Sequence, residues 1–351
     1  MRSSTLFTER SATVPEPVVK HVPEDFLVRE NVVVEFVPEH SAAYQYALLR
    51  KRGHTTMEAV RLIGERLALP LESISYGGLK DEDGVTEQLI SLPAGVLTAA
   101  RTWRSDERWI ELVPYGFGDR PLEIGRLEGN GFRIGLRDLA PADAAALSTT
   151  RKINLLFLNY YDIQRFGVPG GPKLTHLLGA ALLGRDWDDA LRLLVELDAP
   201  ESRLAQAWTG GAHEFFLSLD PRVVSFYLAA HASAQWNAQL ADLVAEAAPE
   251  HHRDLRLEGL DYRYTDSDDA AGQVLATARE LPFAKMSFRD GQITTRHSPR
   301  PTVVFTTVEV GRDEPDAYFP GRAMVPLNFF LPSGSYATAA IRQLALRHTG
   351  R

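Results

Sequence analysis

The chain has 351 residues, 44% hydrophobic and 24% charged, with a net charge of −8. The length predicts two domains, or one domain carrying a large insertion, and the composition is that of an ordinary soluble globular protein. It contains no cysteine, which excludes disulfides, thiolate catalysis and Cys-ligated zinc or iron–sulfur centres. No run approaches 18 apolar residues, so no spanning helix and no membrane partner is expected. Met1 to Leu6 lack the apolar stretch of a signal peptide, and the expected location is cytoplasmic.

In chain order, a short tail precedes Val14. Phe26-Leu27-Val28 and Val32-Val33-Val34-Glu35-Phe36 alternate as two strands, joined by a turn at Arg29-Glu30-Asn31. A helix runs from about Thr56 to Leu67, with Thr55 or Thr56 as N-cap and Glu58 in its first turn. Met57, Val60, Ile63, Gly64 and Leu67 fall near helical spacing, which makes Met57 a core residue, and Pro70 closes the element. Arg50-Lys51-Arg52, with Arg61 and Arg66, forms either a basic stripe or a solvated helix face. Residues 73–138 are rich in short strand-like runs, and Ala140-Pro141-Ala142-Asp143 opens another helix.

From residue 154 to about 245 the pattern is helical, as in Trp187 to Val195 and Val223 to Leu243. A charged segment follows at Ala248 to Asp254, and strand character returns at 301–308 and 324–331. A β-rich start, a helical middle and a β-rich end predict an α+β protein interrupted by an insertion. The boundaries are 1–153 plus 300–351 for the core and 154–299 for the insertion. The insertion carries 13 Lys and Arg against 20 Asp and Glu, so most of the acidity lies there. His251-His252 lacks partners at metal spacing and reads as a solvated loop. Gly167 to Thr175 lacks a G-K-[ST] ending and reads as a plain connection rather than a phosphate loop. Trp236-Asn237 reads as structural.

One turn carries the most chemical information. Gly78-Leu79-Lys80-Asp81-Glu82-Asp83-Gly84-Val85-Thr86-Glu87-Gln88 puts one carboxylate, Asp81, at the end of a tight, glycine-bearing turn between two strand-like runs. It resembles the active-site motif of the TruD family of pseudouridine synthases. Four other segments resemble that family's motifs in the same order. They are Lys20-x-x-x-Glu24-Asp25-Phe26-x-Val28-x-Glu30, Gly129-Asn130-x-Phe132-x-Ile134-x-Leu136-Arg137, Asn159-Tyr160-Tyr161-x-x-Gln164-Arg165-Phe166-Gly167 and Leu331-Pro332-Ser333-Gly334-Ser335-Tyr336-Ala337-Thr338.

The resemblance implies a pseudouridine-synthase core with a mixed or antiparallel sheet, interrupted by an inserted, mostly helical TRUD domain. It implies isomerisation of uridine to pseudouridine, with Asp81 as nucleophile. The reaction breaks the C1′–N1 bond and makes C1′–C5. A carboxylate suits either direct attack at C1′ or an eliminated glycal route. Lys20 is the expected cation partner of Asp81, and Lys80 competes for that role. Phe26, Asn130, Phe132 and Tyr336 are the expected uracil-binding residues, by stacking and by edge hydrogen bonds. Phe26 and Phe132 would otherwise be core, and Asn130 a turn residue.

The isomerisation is redox-neutral, so no metal or organic cofactor is expected. The implied partner is RNA, first of all uridine 13 of tRNA, and no obligate protein partner is expected. Glu82, Asp83 and Glu128 depart from the family, which carries basic residues near these positions. Two alternatives therefore stay open. One is a specialised synthase acting on another RNA, or on a uridine nucleotide for C-nucleoside production. The other is a non-catalytic RNA-binding protein.

Overall fold

The computed structural model describes residues 18–80, 82–123, 127–167 and 171–349. The protein is α+β. By contact it forms two units, one of Glu16–Asn154 with Thr306–Gly334 and the other of Leu155–Phe305 with Ser335–Arg351.

The first unit is built on a sheet. Its strands are β1 Phe26–Val32, β2 Tyr44–Arg52, β3 Ser75–Tyr76, β4 Val85–Pro93, β5 Arg101–Ser105, β6 Arg108–Gly118 and β7 Leu127–Leu139. β14 Glu314–Pro315 and β15 Ala323–Pro332 follow far along the chain, and the sheet also takes in β8 Lys152–Leu158 and β13 Val303–Val310, each of which runs across a unit boundary. The order is β5-β6-β2-β4-β1-β7-β15-β13-β8, with β3 on β4 and β14 on β15. β1 lies parallel to β4 and antiparallel to β7.

That central place corrects the expected turn at Arg29-Glu30-Asn31. These residues lie within β1, opposite Gly131, Asn130 and Gly129, and a strand hydrogen-bonded on both sides has no room to reverse. The Val32 to Phe36 run is not a second strand. Val32 and Val34 instead cover Tyr46, Leu89 and Leu122, while Phe36 stays exposed.

Helix α1, Thr56–Leu67, starts as expected, with the Thr55 hydroxyl accepting from Glu58 N–H and the Glu58 carboxylate accepting from Thr55 N–H. Ala59, Val60 and Ile63 face the sheet against Ala47, Leu49, Ile90 and Leu112. Met57 falls outside that phase and is 61% exposed, so it is not a core residue. Helix α2 spans Pro141–Thr149.

Pleat alternation sorts the central side chains. Phe26, Val28 and Glu30 share one face with their register partners Ile134, Phe132 and Asn130, and with Phe329 and Leu331 beyond. Leu27, Arg29, Arg133, Asn328 and Phe330 lie on the other.

The second unit begins with helices α3 Thr175–Gly184, α4 Trp187–Leu197, α5 Ser202–Ala207, α6 Ala212–Ser218 and α7 Pro221–Ala247. α3, α4, α6 and α7 bury Leu178, Leu182, Leu193, Leu194, Phe215, Phe216 and Tyr227 together. Two antiparallel hairpins follow, β9 His252–Leu257 with β10 Leu260–Thr265 and β11 Glu280–Arg289 with β12 Gln292–Pro301. α8 Asp268–Thr277 lies between them, and α9 Ala337–Thr349 joins this unit by contact. Sequence reasoning missed both hairpins. The pair His251-His252 sits at the first, where His251 Nδ1 is 3.6 Å from Asp266 and His252 Nδ1 is 2.7 Å from the Ala248 carbonyl. Among the described residues no helix is long and apolar enough to cross a membrane.

Candidate active site

The turn between β3 and β4 is held from below by the elements that flank it. Lys80 N–H donates to Thr56 Oγ1 at 2.8 Å, and Thr56 N–H donates back to the Lys80 carbonyl at 3.2 Å. Thr56 is the first residue of α1, so the start of the helix doubles as a clamp on the turn. The Gln88 amide donates to the Gly78 carbonyl at 3.0 Å and its oxygen accepts from Thr56 Oγ1 at 2.8 Å. The first and last residues of the Gly78 to Gln88 motif are thereby tied together. Lys51, fully buried on β2, donates to the carbonyls of His54 at 2.7 Å and Lys80 at 3.2 Å. A Cβ at Gly84 would collide with the Phe26 carbonyl, so this motif glycine lets the turn close against β1. Asp81 itself lies outside the described residues. Glu82 and Asp83, which follow it, are exposed.

The Lys80 ammonium is already engaged. It forms a 2.8 Å ion pair with Glu30 Oε1, with the two side chains 8% and 0% exposed.

Lys20 stands in the segment that leads into β1, in the left-handed region at φ 59°. Its Nζ lies 4.3 Å from the centroid of the Phe26 ring. The segment is fastened by Asp25, which accepts Arg137 Nε and Nη2 at 2.7 Å each and also Val22 N–H at 3.1 Å. The guanidinium continues to Asp316 at 2.9 Å, and Val18 bridges to Arg137 through the backbone. Two carboxylates around one buried guanidinium raise the Arg137 pKa, the Asp25 hydrogen bonds being the main cause. Asp316 is held below its usual range despite burial, by the N–H groups of Tyr318 and Asp138 and by Arg137. The opening motif's Asp25 and the third motif's Arg137 thus position the Lys20 segment.

On the same face, Phe26 meets Phe132 edge-on at 5.9 Å, and Phe132 stacks on Phe329 at 5.5 Å. Phe26 and Phe329 are buried, while Phe132 and Asn130 are half-buried. Asn130 is the register partner of Glu30, and its Oδ1 is buried without a donor among the described residues. Lys20, Phe26, Asn130 and Phe132 therefore share one face of one unit.

Tyr336 belongs to the other unit, just before α9, and packs there against Tyr161 of the fourth motif at 5.9 Å. Burial pushes its phenol up to about 12. Asn237 on α7 fixes the Tyr161 backbone by accepting its N–H at 2.9 Å and donating to its carbonyl at 2.8 Å. The Arg300 guanidinium lies 3.9 Å from the Tyr161 ring and 4.8 Å from Trp236, and it donates to the Asn159 carbonyl at 2.9 Å. Burial lowers the Arg300 pKa. Asn159, Tyr161 and Tyr336 come from two motifs and meet in one aromatic cluster, whose central cation Arg300 lies outside every motif.

Several of these residues were not singled out in sequence reasoning. Glu30 stands in the opening motif within a stretch of turn composition, and the sequence marks Thr56 only as a possible cap. Arg300 gave no signal. The basic stripe does not exist as drawn. Lys51 is buried on a strand, Arg50 pairs with Glu87 and Glu111, and Arg52 pairs with Glu24 and Glu107. Alternation along β2 sends Lys51 to the opposite face from Arg50 and Arg52.

Known proteins resemble the chain over this same region and beyond it. The tRNA pseudouridine synthase D of Geobacter sulfurreducens is 34% identical over 178 residues, which is 50% of this chain and 42% of that protein. The chain thus matches under half the length of that relative. The tRNA pseudouridine synthase D of Aquifex aeolicus is 26% identical over 393 residues, covering 93% of this chain and 97% of that protein. The crystal structure of the Methanosarcina mazei protein assigned as tRNA pseudouridine synthase D (TruD) superposes with a TM-score of 0.60 at 19% identity, covering 93% of both chains. That likeness concerns the fold. The family model described as tRNA pseudouridine synthase D (TruD) matches residues 15–207, more than half of the chain and four of the five motifs. The chain belongs to the TruD family of pseudouridine synthases.

Proposed function

We propose that this protein isomerises uridine to pseudouridine in tRNA, at uridine 13 as the family resemblance implies, with Asp81 as nucleophile. The observation that carries the reading is the clamped turn. The residues leading into position 81, Gly78 and Lys80, are fastened to β1, β2, β4 and α1 in a chain whose relatives are named for this reaction. In this reading the Asp81 carboxylate attacks C1′ of the target uridine, or acts on the sugar so that a glycal forms. The C1′–N1 bond breaks, the uracil turns, C1′–C5 forms, and the proton on C5 is lost. Lys20 supplies positive charge beside the carboxylate. Phe26 and Phe132 hold the detached ring by its faces and Asn130 holds its edge, and Tyr336, on the other unit, is the further stacking residue that the family resemblance implies. The catalytic core is residues 1–153 with 300–351, and 154–299 is the TRUD insertion.

A second reading rests on the exposed acids. Glu82 and Asp83 follow position 81 directly and repel a phosphate backbone passing there. They favour a different RNA, or a uridine nucleotide, as substrate. One experiment separates the readings. The purified protein is incubated separately with total tRNA, other RNA, UMP and uridine, and each product is digested and searched for pseudouridine by mass spectrometry. Conversion in tRNA alone supports the first reading, and conversion of UMP or uridine without RNA supports the second. No conversion of any substrate, together with RNA binding, leaves a non-catalytic binding protein.

A further inference from the structure

We propose that Glu30 is a positioning residue for the nucleophile, acting through Lys80. The inference rests on the reading of Asp81 given above.

A carboxylate in the middle of a central strand is costly unless something requires it. The Glu30 side chain is 0% exposed, and its carboxylate sits directly beneath the Gly77-Gly78 turn. A Cβ at Gly78 would stand 3.0 Å from Oε1, and one at Gly77 would stand 3.6 Å from Oε2, so the two glycines leave room for the carboxylate. Oε1 takes the Lys80 ammonium at 2.8 Å, while Oε2 has no donor among the described residues. A side chain kept only for stability would not be an ion buried with one oxygen lacking a donor among the described residues. Apolar residues of similar volume serve that purpose as well or better.

What the pair does achieve is geometric. The Lys80 backbone is fixed through its N–H and its carbonyl by Thr56 and Lys51. Glu30 fixes the remaining freedom, the direction of the side chain. With backbone and side chain of residue 80 both restrained, the peptide leading to Asp81 can take up few orientations. Glu30 also occupies the Lys80 ammonium, which leaves Lys20 as the cation for Asp81. Both effects place a reactive carboxylate, and misplacement by about 1 Å costs on the order of 100-fold in rate.

The test uses the full-length protein and tRNA. Glu30→Gln and Lys80→Met each leave one partner alone, so the neutral pair Glu30→Gln with Lys80→Gln is made as well, to preserve the fold. For every variant that folds by circular dichroism, the expected result is a kcat lower by on the order of 100-fold with KM changed less than about threefold. The double variant should be no worse than the poorer single variant. Hydrogen exchange should accelerate in the peptide spanning residues 77–84 and not in β2 or β7. Wild-type kcat in the neutral pair, a loss confined to KM, or unchanged exchange at 77–84 would overturn the proposal. Asp81→Asn is run alongside. If it retains full activity, the assignment of Asp81 fails, while the exchange data still decide whether Glu30 restrains the turn.

Discussion

At the scale of single residues, the five motifs differ in what they do. Asp81 carries the chemistry in our reading. Asp81→Asn should keep the fold and RNA binding while reducing pseudouridine formation by about three orders of magnitude or more, measured in single turnover. Asp25 and Arg137 carry geometry. Asp25→Ala strands the Arg137 guanidinium, still facing Asp316 but deprived of two hydrogen bonds. Breaking a buried pair in this way costs about 3–5 kcal/mol, which denaturant titration would register. The Lys20 segment should then exchange its amides faster. Lys20, Phe26, Asn130 and Phe132 are candidates because each stands at a motif position, and the fold gathers them on one face. Arg300 was not, because a cation stacked between Tyr161 and Trp236 is made by tertiary contact, and nothing in Ser298-Pro299-Arg300 announces it.

At the scale of elements, helix α1 was legible to the residue because its capping box is a local pattern. Strand β1 was misread as a hairpin because Arg29-Glu30-Asn31 has turn composition and only the pairing partners overrule it. Of the missed hairpins, β11–β12 is hard to read because β12 faces water over most of its length and shows little apolar alternation, whereas β10 does alternate, with Leu260, Tyr262 and Tyr264 between Asp261 and Arg263, but is only six residues long. Two substitutions test the elements. Thr56→Ala should leave α1 intact, because Thr55 is its cap, but should free the Lys80 amide and the Gln88 side chain. Activity should fall more than stability, by kcat and Tm measured on the same sample. Asn237→Leu should destabilise the helical unit by about 1–3 kcal/mol, since it leaves the Tyr161 N–H without its partner and the Tyr161 carbonyl with the Tyr262 hydroxyl alone.

At the scale of the molecule, the buried phenols predict an alkaline limit. Tyr160, Tyr161, Tyr227, Tyr262 and Tyr336 all have raised pKa values, with burial as the leading cause in each. A group whose folded pKa lies above its unfolded one favours the fold fully below the unfolded value, here about 10, and loses that contribution as pH climbs through the folded value. The contribution of these phenols should therefore be constant across neutral pH and be lost beyond about pH 10, where stability falls and phenolate absorbance rises in a cooperative step with unfolding. The charge distribution makes a separate prediction. With an acidic insertion and Arg50 and Arg52 already paired to carboxylates, RNA affinity should depend less steeply on salt than for a basic RNA-binding protein. Replacing Glu82 and Asp83 with Lys and Ala should strengthen binding, as read by a titration at two salt concentrations.

The strand order has a temporal consequence. β7 and β8 are close in sequence, yet β15 and β13 lie between them in the sheet, and both are made only after some 150 further residues. Until then β7 is a bare edge on the side away from β1, and Phe132 lacks the Phe329 ring it stacks on. A nascent chain that has just released β7 thus holds an unfinished sheet with a sticky border and a half-built aromatic floor. The last strands act as a delayed keystone, and the Phe132–Phe329 face is complete only with them. A chain stopped after residue 305 should collapse without the fixed near-ultraviolet signal of the whole protein and self-associate through that border, and a separately supplied 306–334 peptide should suppress the association.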